Sequence, residues 1–321
     1  MCESGKEAVR MSDLNFSIII PHYNIPKLLQ RCLDSIPQRP DLEVIVVDDN
    51  SSPDIVDFDH FPGSDRPDVT LILDKKGGGG GYARNLGLDV AKGKWLLFAD
   101  ADDLFTENLS TLIDEYVDSE DDVIFFNVRR VWTEDITKPY TKSPGLGSFV
   151  RYEETGNIDI AFRVWYSQPW GKMIRRSIVA DNNIRFDEIK VCNDFWFCVQ
   201  AQFKAKTVHV DNREIYYYTF RKGSVAYKST DTLEKILIRL DVCCRVYAFV
   251  KQYGIEEKPV IFRSFLVILF KKYPLQFIKQ ICRLPSYHIN VFKVLWQVFW
   301  PKYYYSSKVE KEEDDEDIMV P

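Results

Sequence analysis

Gly93-Lys-Trp-Leu-Leu-Phe-Ala-Asp-Ala-Asp-Asp103 is the stretch from which the fold of this 321-residue chain is read. Trp95–Phe98 is a short unbroken apolar run, the pattern of a strand covered on both faces, and it ends in Asp100-Ala101-Asp102-Asp103. Strands covered on both faces belong to parallel sheets, and open parallel sheets bind ligands beyond the carboxyl ends of their strands. Two carboxylates two residues apart at such an end can share a divalent cation, because Mg²⁺ and Mn²⁺ take hard oxygen ligands. The same acids also suit a helix N-terminus. Their place at a strand end, more than their charge, singles out Asp100 and Asp102.

Upstream, the pattern repeats. Phe16–Pro21 reads as a buried first strand, and Pro26 opens a helix with Leu28, Leu29, Cys32, Leu33 and Ile36 on one stripe. Leu42–Val47 reads as a second strand ending in Asp48-Asp49-Asn50-Ser51-Ser52, and Val69–Leu73 as a third. The glycines Gly77–Gly81 lead into a helix over Tyr82–Ala91. Downstream, Thr106 is placed to cap a helix carrying Leu109, Leu112, Ile113, Tyr116 and Val117, and Val123–Val128 reads as another strand. Repeated strand–helix units give an α/β fold with a mostly parallel central sheet flanked by helices. Beyond it the pattern becomes α+β. A helix is expected over Asn157–Ser167, another over Phe195–Phe203, and two strands over His209–Val210 and Ile215–Thr219. From Leu233 onward the chain reads as helices. The expected division is a disordered N-terminus over 1–14, the α/β domain over 15–226, a basic, aromatic helical region over 227–305, and a disordered acidic tail over 306–321.

Several side chains in this frame can do chemistry. Asp48 can accept a hydrogen bond from a base or a ribose, although Asp-Asp-Asn-Ser-Ser is also good turn chemistry. The glycine run can cradle phosphate with backbone N–H groups, and Arg84 can add a charge-assisted contact; a merely flexible loop is the plainer reading. No Gly-Lys-Ser/Thr follows, so this is not a Walker loop. Asp194 lies among apolar and aromatic neighbours (Val191-Cys-Asn-Asp-Phe-Trp-Phe197), which suits a general base as well as a helix cap. Trp170 can stack on a sugar face, and Lys172 and Arg221 can hold phosphate, or all three are ordinary loop residues.

Taken in order, the segments Ser17–Asn24, Glu43–Ser52, Ala83–Leu88, Gly93–Asp103, Pro169–Lys172, Asn193-Asp194 and Gly223-Ser224 resemble the family 2 glycosyltransferases, with the nucleotide-binding GT-A fold. No single segment decides this; their order and spacing do. The resemblance implies an inverting transfer of sugar from a nucleotide-diphosphate donor, with uridine the default base, to a hydroxyl of a glycan or lipid-linked acceptor of a cell surface. Pro21, Tyr23 and Asp48 would frame the base, with Asp49 beside them. Asp100 and Asp102 would bind nucleotide and a Mn²⁺ or Mg²⁺ ion, with Asp102 the foremost ligand. Asp194 would be the catalytic base. Asn193 stands where the family usually has glutamate, and His22 where it often has a small or apolar residue.

Composition narrows the rest. A net charge of −6 gives no global signal for nucleic acid. The seven cysteines form no metal-site spacing or disulfide framework and suit a reducing cytosol. The first fourteen residues lack an apolar h-region, so no secretory signal is expected, and Met11 is an alternative start. The segment 258–308 holds nine Lys/Arg, no Asp or Glu, and thirteen aromatic residues. Its stretch His288–Trp300 can form an amphipathic helix suited to an anionic membrane surface, or one packed on the catalytic domain. The expected location is the cytoplasm, with a peripheral place at the inner face of the cytoplasmic membrane if that helix meets lipid. A sugar-1-phosphate nucleotidyltransferase would carry a glycine- and arginine-rich loop after the first strand, where this chain has Pro21-His-Tyr-Asn24. A non-catalytic sugar-nucleotide-binding module would have no need of Asp100, Asp102 and Asp194 together, though Asn193 suits it.

Overall fold

The computed structural model describes residues 14–140, 147–221, 232–255 and 260–299. The expected disorder of the two termini concerns residues outside these. The chain divides into two compact units, one of 1–188 and 197–228, the other of 189–196 and 229–321.

The first unit is an α/β layer structure. Its elements begin with β1 (Phe16–His22), α1 (Pro26–Asp34), β2 (Leu42–Asp49), β3 (Val69–Asp74), α2 (Gly80–Val90), β4 (Trp95–Phe98), β5 (Leu104–Phe105) and α3 (Leu109–Tyr116). They continue with β6 (Val123–Trp132), β7 (Asp135–Pro139), α4 (Gly147–Thr155), a π-helical turn over Asp159–Val164, β8 (Lys172–Arg175), α5 (Arg176–Asp181), α6 (Phe195–Lys204), whose first two residues belong to the second unit, and β9 (Val208–Phe220). Among the described residues the sheet order is β3-β2-β1-β4-β8-β6-β9-β5, with β7 beside β6. The β3-β2-β1-β4 portion is wholly parallel, as is the long β6–β9 pairing, so the paired residues are mostly parallel.

Burial explains the pattern. Every residue of β2 and β4 is buried, which is why both read as continuous apolar runs. Helix α1 opens at Pro26 and turns Leu29, Cys32 and Leu33 into the core. A buried Glu43 ties the sheet together: Oε1 accepts from Ser17 Oγ at 2.6 Å, the Lys92 N–H at 2.6 Å and the Gly93 N–H at 3.3 Å. Gly93 has no room for a side chain, since a Cβ there would lie 2.5 Å from the Phe16 carbonyl carbon.

Three local expectations are corrected. The two strands expected around His209 and Ile215 are the single strand β9, in which Asn212 and Arg213 form a bulge between the Phe126–Asp211 and Asn127–Glu214 pairs. Thr106 does not cap α3; its hydroxyl donates to the Glu214 carbonyl at 2.7 Å, and Asn108 precedes the helix. The helix expected over Asn157–Ser167 shortens to the π-helical turn, and α4 precedes it.

From Leu233 onward the second unit is helical among its described residues, as read from the sequence. It contains α7 (Leu233–Val250), α8 (Val260–Lys272), α9 (Pro274–Arg283) and α10 (Val291–Phe299), with short 3₁₀ turns over Lys251–Tyr253 and Leu284–Tyr287. Thr232 caps α7 by accepting from the Lys235 N–H.

Candidate active site

The strand order reverses about β1, which pairs with β2 on one side and β4 on the other. Ligands of open α/β sheets bind at such a reversal, beyond the carboxyl ends. The three strands end here in His22, Asp48-Asp49 and, just past β4, Asp100.

His22 and Asp48 are fully buried side chains joined through Nδ1 and Oδ1 at 2.8 Å. The Ile25 N–H donates to His22 Nε2 at 3.1 Å, so that nitrogen carries the lone pair and Nδ1 the proton given to Asp48. Ser51 donates its hydroxyl to Asp48 Oδ1 at 2.5 Å and its N–H to Oδ2 at 3.0 Å. Burial works against the Asp48 charge, but the hydrogen bonds from His22 and Ser51 outweigh it and hold the carboxyl below its usual range. Asn24, at φ +56°, donates its N–H to Ser51 Oγ and accepts from the Ser52 N–H, each at 2.8 Å. The loops after β1 and β2 are thus one hydrogen-bonded block. Asp48 holds that block from inside, with neither oxygen left bare. Pro21 is half-buried, and Tyr23 is exposed (59%) beside it.

Asp49 changes the reading of the glycine run. Its two oxygens accept from the Gly78 and Gly79 N–H groups at 2.8 and 2.7 Å. Those two amides, candidates for cradling phosphate, are turned onto a carboxylate of the protein. Helix α2 then starts at Gly80, and Gly79 before it sits at φ +86°, a conformation that favours glycine. Arg84 is buried on α2, 5.5 Å from the Phe186 ring centre, and its Nη2 lies 2.5 Å from Asp100 Oδ1.

The turn after β4 is the most highly charged part of the site. The Asp100 N–H donates to Tyr216 Oη at 2.8 Å, and that hydroxyl donates to Asp103 Oδ2 at 3.0 Å. The Thr219 N–H donates to Asp103 Oδ1 at 2.7 Å. The Asp102 carbonyl accepts from Arg31 Nη2 at 2.6 Å and Thr219 Oγ1 at 2.7 Å. Burial, then the charges of Asp102 and Asp100, push Asp103 well above the usual carboxylate range. Asp102 is raised by burial and by Asp100, against the pull of Arg221, whose Nε lies 3.7 Å from its Oδ2. Asp103, Tyr216, Thr219 and Arg31 were not singled out from sequence. A third acid in the Asp100-Ala101-Asp102-Asp103 turn and the Tyr216-Tyr217-Tyr218 run were the available signals.

Asp100 and Asp102 remain partly exposed, at 31% and 28% of their side chains. Two neighbouring carboxylates of this kind fit a Mg²⁺ or Mn²⁺ ion, which commonly takes one or two carboxylates and fills its shell with water and substrate phosphate. Among the described residues no group of three or more His, Cys, Asp or Glu is arranged to hold a metal by itself.

Two expectations are corrected. Trp170 is buried with its ring stacked on Tyr216 (5.5 Å between centres) and Tyr218 (5.4 Å), so it braces the acidic turn and offers no open face to a sugar. Lys172 is buried too. Its Nζ donates to the Tyr166 carbonyl at 2.8 Å and lies 4.2 Å from the Tyr166 ring centre, which fixes it within the β8 layer and away from any phosphate. Lys222, Gly223 and Ser224 lie outside the described residues.

Asn193 and Asp194 belong to the second unit. They follow Cys192, at φ +56°, and directly precede α6, where a carboxylate favours the helix dipole. Burial and then the Asp194 charge push the Cys192 thiol up to about 12, against Arg239 of α7.

The profile of glycosyl transferase family 2 matches residues 17–182. The poly(ribitol-phosphate) beta-glucosyltransferase of Bacillus spizizenii is 28% identical over 228 residues, covering 67% of this chain and 34% of that protein. The poly(ribitol-phosphate) beta-N-acetylglucosaminyltransferase TarS of Staphylococcus aureus is 26% identical over 70% of this chain and 39% of its own length. An uncharacterized Escherichia coli glycosyltransferase, YibD, is 26% identical over 65% of this chain and 62% of its own. The chain thus spans from about a third to three fifths of these relatives' lengths. The crystal structure of S. aureus TarS 1–349 in complex with UDP-GlcNAc superposes with a TM-score of 0.54 at 23% identity, covering 81% of this chain and 73% of that one. The expected GT-A fold is the fold of this chain.

Proposed function

The chain belongs to glycosyl transferase family 2, and we propose that it is an inverting transferase. It moves a sugar from a UDP-sugar to a hydroxyl of a glycan or lipid-linked acceptor in cell-surface polysaccharide synthesis. The observation that carries this reading is the Asp100–Asp103 turn. It puts two partly exposed carboxylates at the reversal point of a parallel sheet, on a backbone held by Tyr216, Thr219 and Arg31. The donors and acceptors in the relatives' names, UDP-GlcNAc and poly(ribitol-phosphate), support the substrate class.

In this reading Tyr23 and Pro21 offer the open surface beside the base, and the His22–Asp48–Ser51 block fixes the shape of that surface. Arg84 and Arg221, each paired with an acid of the turn, are the cations that turn toward the donor diphosphate. Asp100 and Asp102 would hold Mn²⁺ or Mg²⁺, which when bound neutralises charge on the departing nucleotide diphosphate. Asp194 takes the proton of the acceptor hydroxyl as it attacks the anomeric carbon from the face opposite the leaving group. Asn193 beside it leaves that step to a single carboxylate. No helix among the described residues is long and apolar enough to cross a membrane. The protein works at the cytoplasmic face of a membrane, where a lipid-linked acceptor is presented.

The test is a panel of nucleotide sugars scored for release of nucleotide diphosphate, with and without acceptor, for the natural chain and Asp194→Asn. Transfer is expected to vanish in the variant while UDP binding, measured by calorimetry, is kept. Full turnover by Asp194→Asn removes it from the mechanism. Donor binding with no turnover by the natural chain on any acceptor makes this a binding module instead.

A further inference from the structure

The second unit displays large apolar side chains that the transfer chemistry does not use. On α9, Leu275 (82% exposed), Ile278 (58%) and Cys282 face solvent at i, i+3 and i+7, while Phe277 and Gln280 fill the opposite, buried side. On α10, Phe292 (84%), Trp296 (51%) and Phe299 (42%) face outward at i, i+4 and i+7, while Val294 and Val298 are buried. Each helix has therefore met its packing need on one side and remains apolar on another. The α10 stripe continues onto Phe270 (46% exposed) at the end of α8, and it meets α9 at Phe277, on the side away from the α9 stripe. Phe299 lies 5.1 Å from the Phe270 ring centre at the end of α8 and 6.4 Å from that of Phe277 on α9. Exposed cations flank them: Lys271 and Lys272 at the end of α8, Lys279 on α9 and Lys293 on α10. Residues 260–299 contain no Asp or Glu.

We propose that the outward stripe of α10, continued by Phe270 at the end of α8, docks on an anionic lipid bilayer, with these aromatic side chains entering the interface and Lys271, Lys272 and Lys293 meeting lipid phosphates. It rests on the reading that the acceptor is presented at a membrane, and it names the surface that reaches it. The charge pattern selects this occupant. A second copy of the chain placed face to face would set lysine against lysine, with no acid in 260–299 to offset them. An interface rich in Trp and Phe with lysines at its border is the composition that suits a headgroup region. Each lysine brought near an anionic surface strengthens binding by roughly fivefold.

The experiment uses the full chain and sedimentation with vesicles of phosphatidylcholine alone, or of phosphatidylcholine and phosphatidylglycerol in equal parts, at low and high salt. The chain is expected to sediment with the mixed vesicles at low salt, and far less with phosphatidylcholine or at high salt. Phe292→Glu/Trp296→Glu should abolish sedimentation, and Lys271→Glu/Lys272→Glu should weaken it by at least ~25-fold, two lysine contributions. Both pairs are exposed, so urea midpoints and nucleotide-diphosphate release in vesicle-free solution should match the natural chain. Equal sedimentation with pure phosphatidylcholine overturns the proposal, as does sedimentation of Phe292→Glu/Trp296→Glu at the natural level. A dimer in solution that Phe292→Glu/Trp296→Glu dissolves, with no vesicle binding, gives the face to a second copy and also overturns it. Vesicle binding as expected, without any sugar transfer, upholds the docking face and sinks the catalytic reading alone.

Discussion

Replacing Arg84 by glutamine tests the electrostatic heart of the site. Its guanidinium lies 2.5 Å from Asp100, with the arginine side chain 8% and the aspartate 31% exposed. An exposed ion pair contributes about 0–1 kcal/mol, and removing one partner of a buried pair costs about 3–5 kcal/mol. With one end buried and the other about a third exposed, the loss should fall between these, near ~2 kcal/mol. The consequence for ligands has two signs. Asp100 loses its resident cation and adds its full charge to that of Asp102, so a divalent ion should bind the donor-free protein more tightly. At ~4 Å and an effective dielectric near 20, a divalent ion losing a unit positive neighbour gains at most about 8 kcal/mol, and solvent at the exposed acid cuts it to about 1 kcal/mol, roughly fivefold. UDP should bind more weakly by a similar factor, because a diphosphate loses a guanidinium partner. Urea unfolding of Arg84→Gln, Asp100→Asn and the double variant gives the coupling energy, and calorimetry gives the Mn²⁺ and UDP affinities. Additive unfolding energies, with both affinities unchanged, would refute the reasoning. The pair would then be an energetically idle contact of the ligand-free surface.

Three further outcomes are expected. Sugar transfer should disappear in excess chelator and return with added Mn²⁺ or Mg²⁺; undiminished turnover in chelator removes the metal from Asp100 and Asp102. Asp48 has a folded pKa below its usual value of 3.8, so its contribution to stability is present above that value and is lost as pH falls through the folded pKa. Asp48→Asn should therefore be less stable at neutral pH and lose less stability between pH ~5 and ~3, read from urea midpoints; an unchanged acid slope refutes the assignment. Gly93→Ala should cost about 3 kcal/mol or more, because the Cβ would meet the β1 backbone at 2.5 Å. Gly79→Ala should cost about 1–3 kcal/mol, with no clash in open space but a backbone at φ +86° and ψ 174° that is essentially kept to glycine. Equal thermal shifts for the two glycine variants would contradict the packing.

Elements that bury both faces were legible in the sequence, because a fully buried strand must be written almost wholly in apolar residues. Trp95–Phe98 and Leu42–Val47 are of that kind, and β2 and β4 follow them closely. β9 was not, and the cause is local. Its Asp211-Asn212-Arg213 segment is written like a turn, yet the strand carries it as a bulge, with Arg213 paired to Asp211 and Glu115. Thr106 also shows the limit of local reading. Its hydroxyl accepts from the Asn108 N–H at 3.3 Å and donates to the Glu214 carbonyl, so it ties the turn before α3 to β9, and the helix itself begins after Asn108. Lys172 and Trp170 misled for the same reason: a cation and an indole beside a glycine look available until the neighbouring β6 and β9 layers close over them.

The acidic positions of the site were legible, but their division of labour was not, because it depends on contacts far apart in the chain. Asp48 and Asp49 are adjacent and look interchangeable. One is fastened to His22 and Ser51, the other to the amides of Gly78 and Gly79. Asp102 and Asp103 are equally alike in sequence. Asp103 points inward to Tyr216 and Thr219, while Asp102 keeps a partly exposed carboxylate beside Arg221. In each pair at least one acid is a structural anchor, and in the second pair the other still faces solvent. That arrangement gives the turn its chemical character. Tyr216 and Thr219 fix the backbone through neutral groups, and the Arg31 cation does so through the Asp102 carbonyl while its charge also favours the Asp102 carboxylate. What remains are two carboxylates close enough to raise each other's energy, with Arg84 and Arg221 as their present counterions. A donor diphosphate with a divalent cation can replace that arrangement on both sides at once, the metal taking the acids and the phosphates taking the arginines. In the proposed metal-dependent reading, such an exchange would keep the net charge of the site low before and after the donor arrives, on a backbone already held by Tyr216, Thr219 and Arg31.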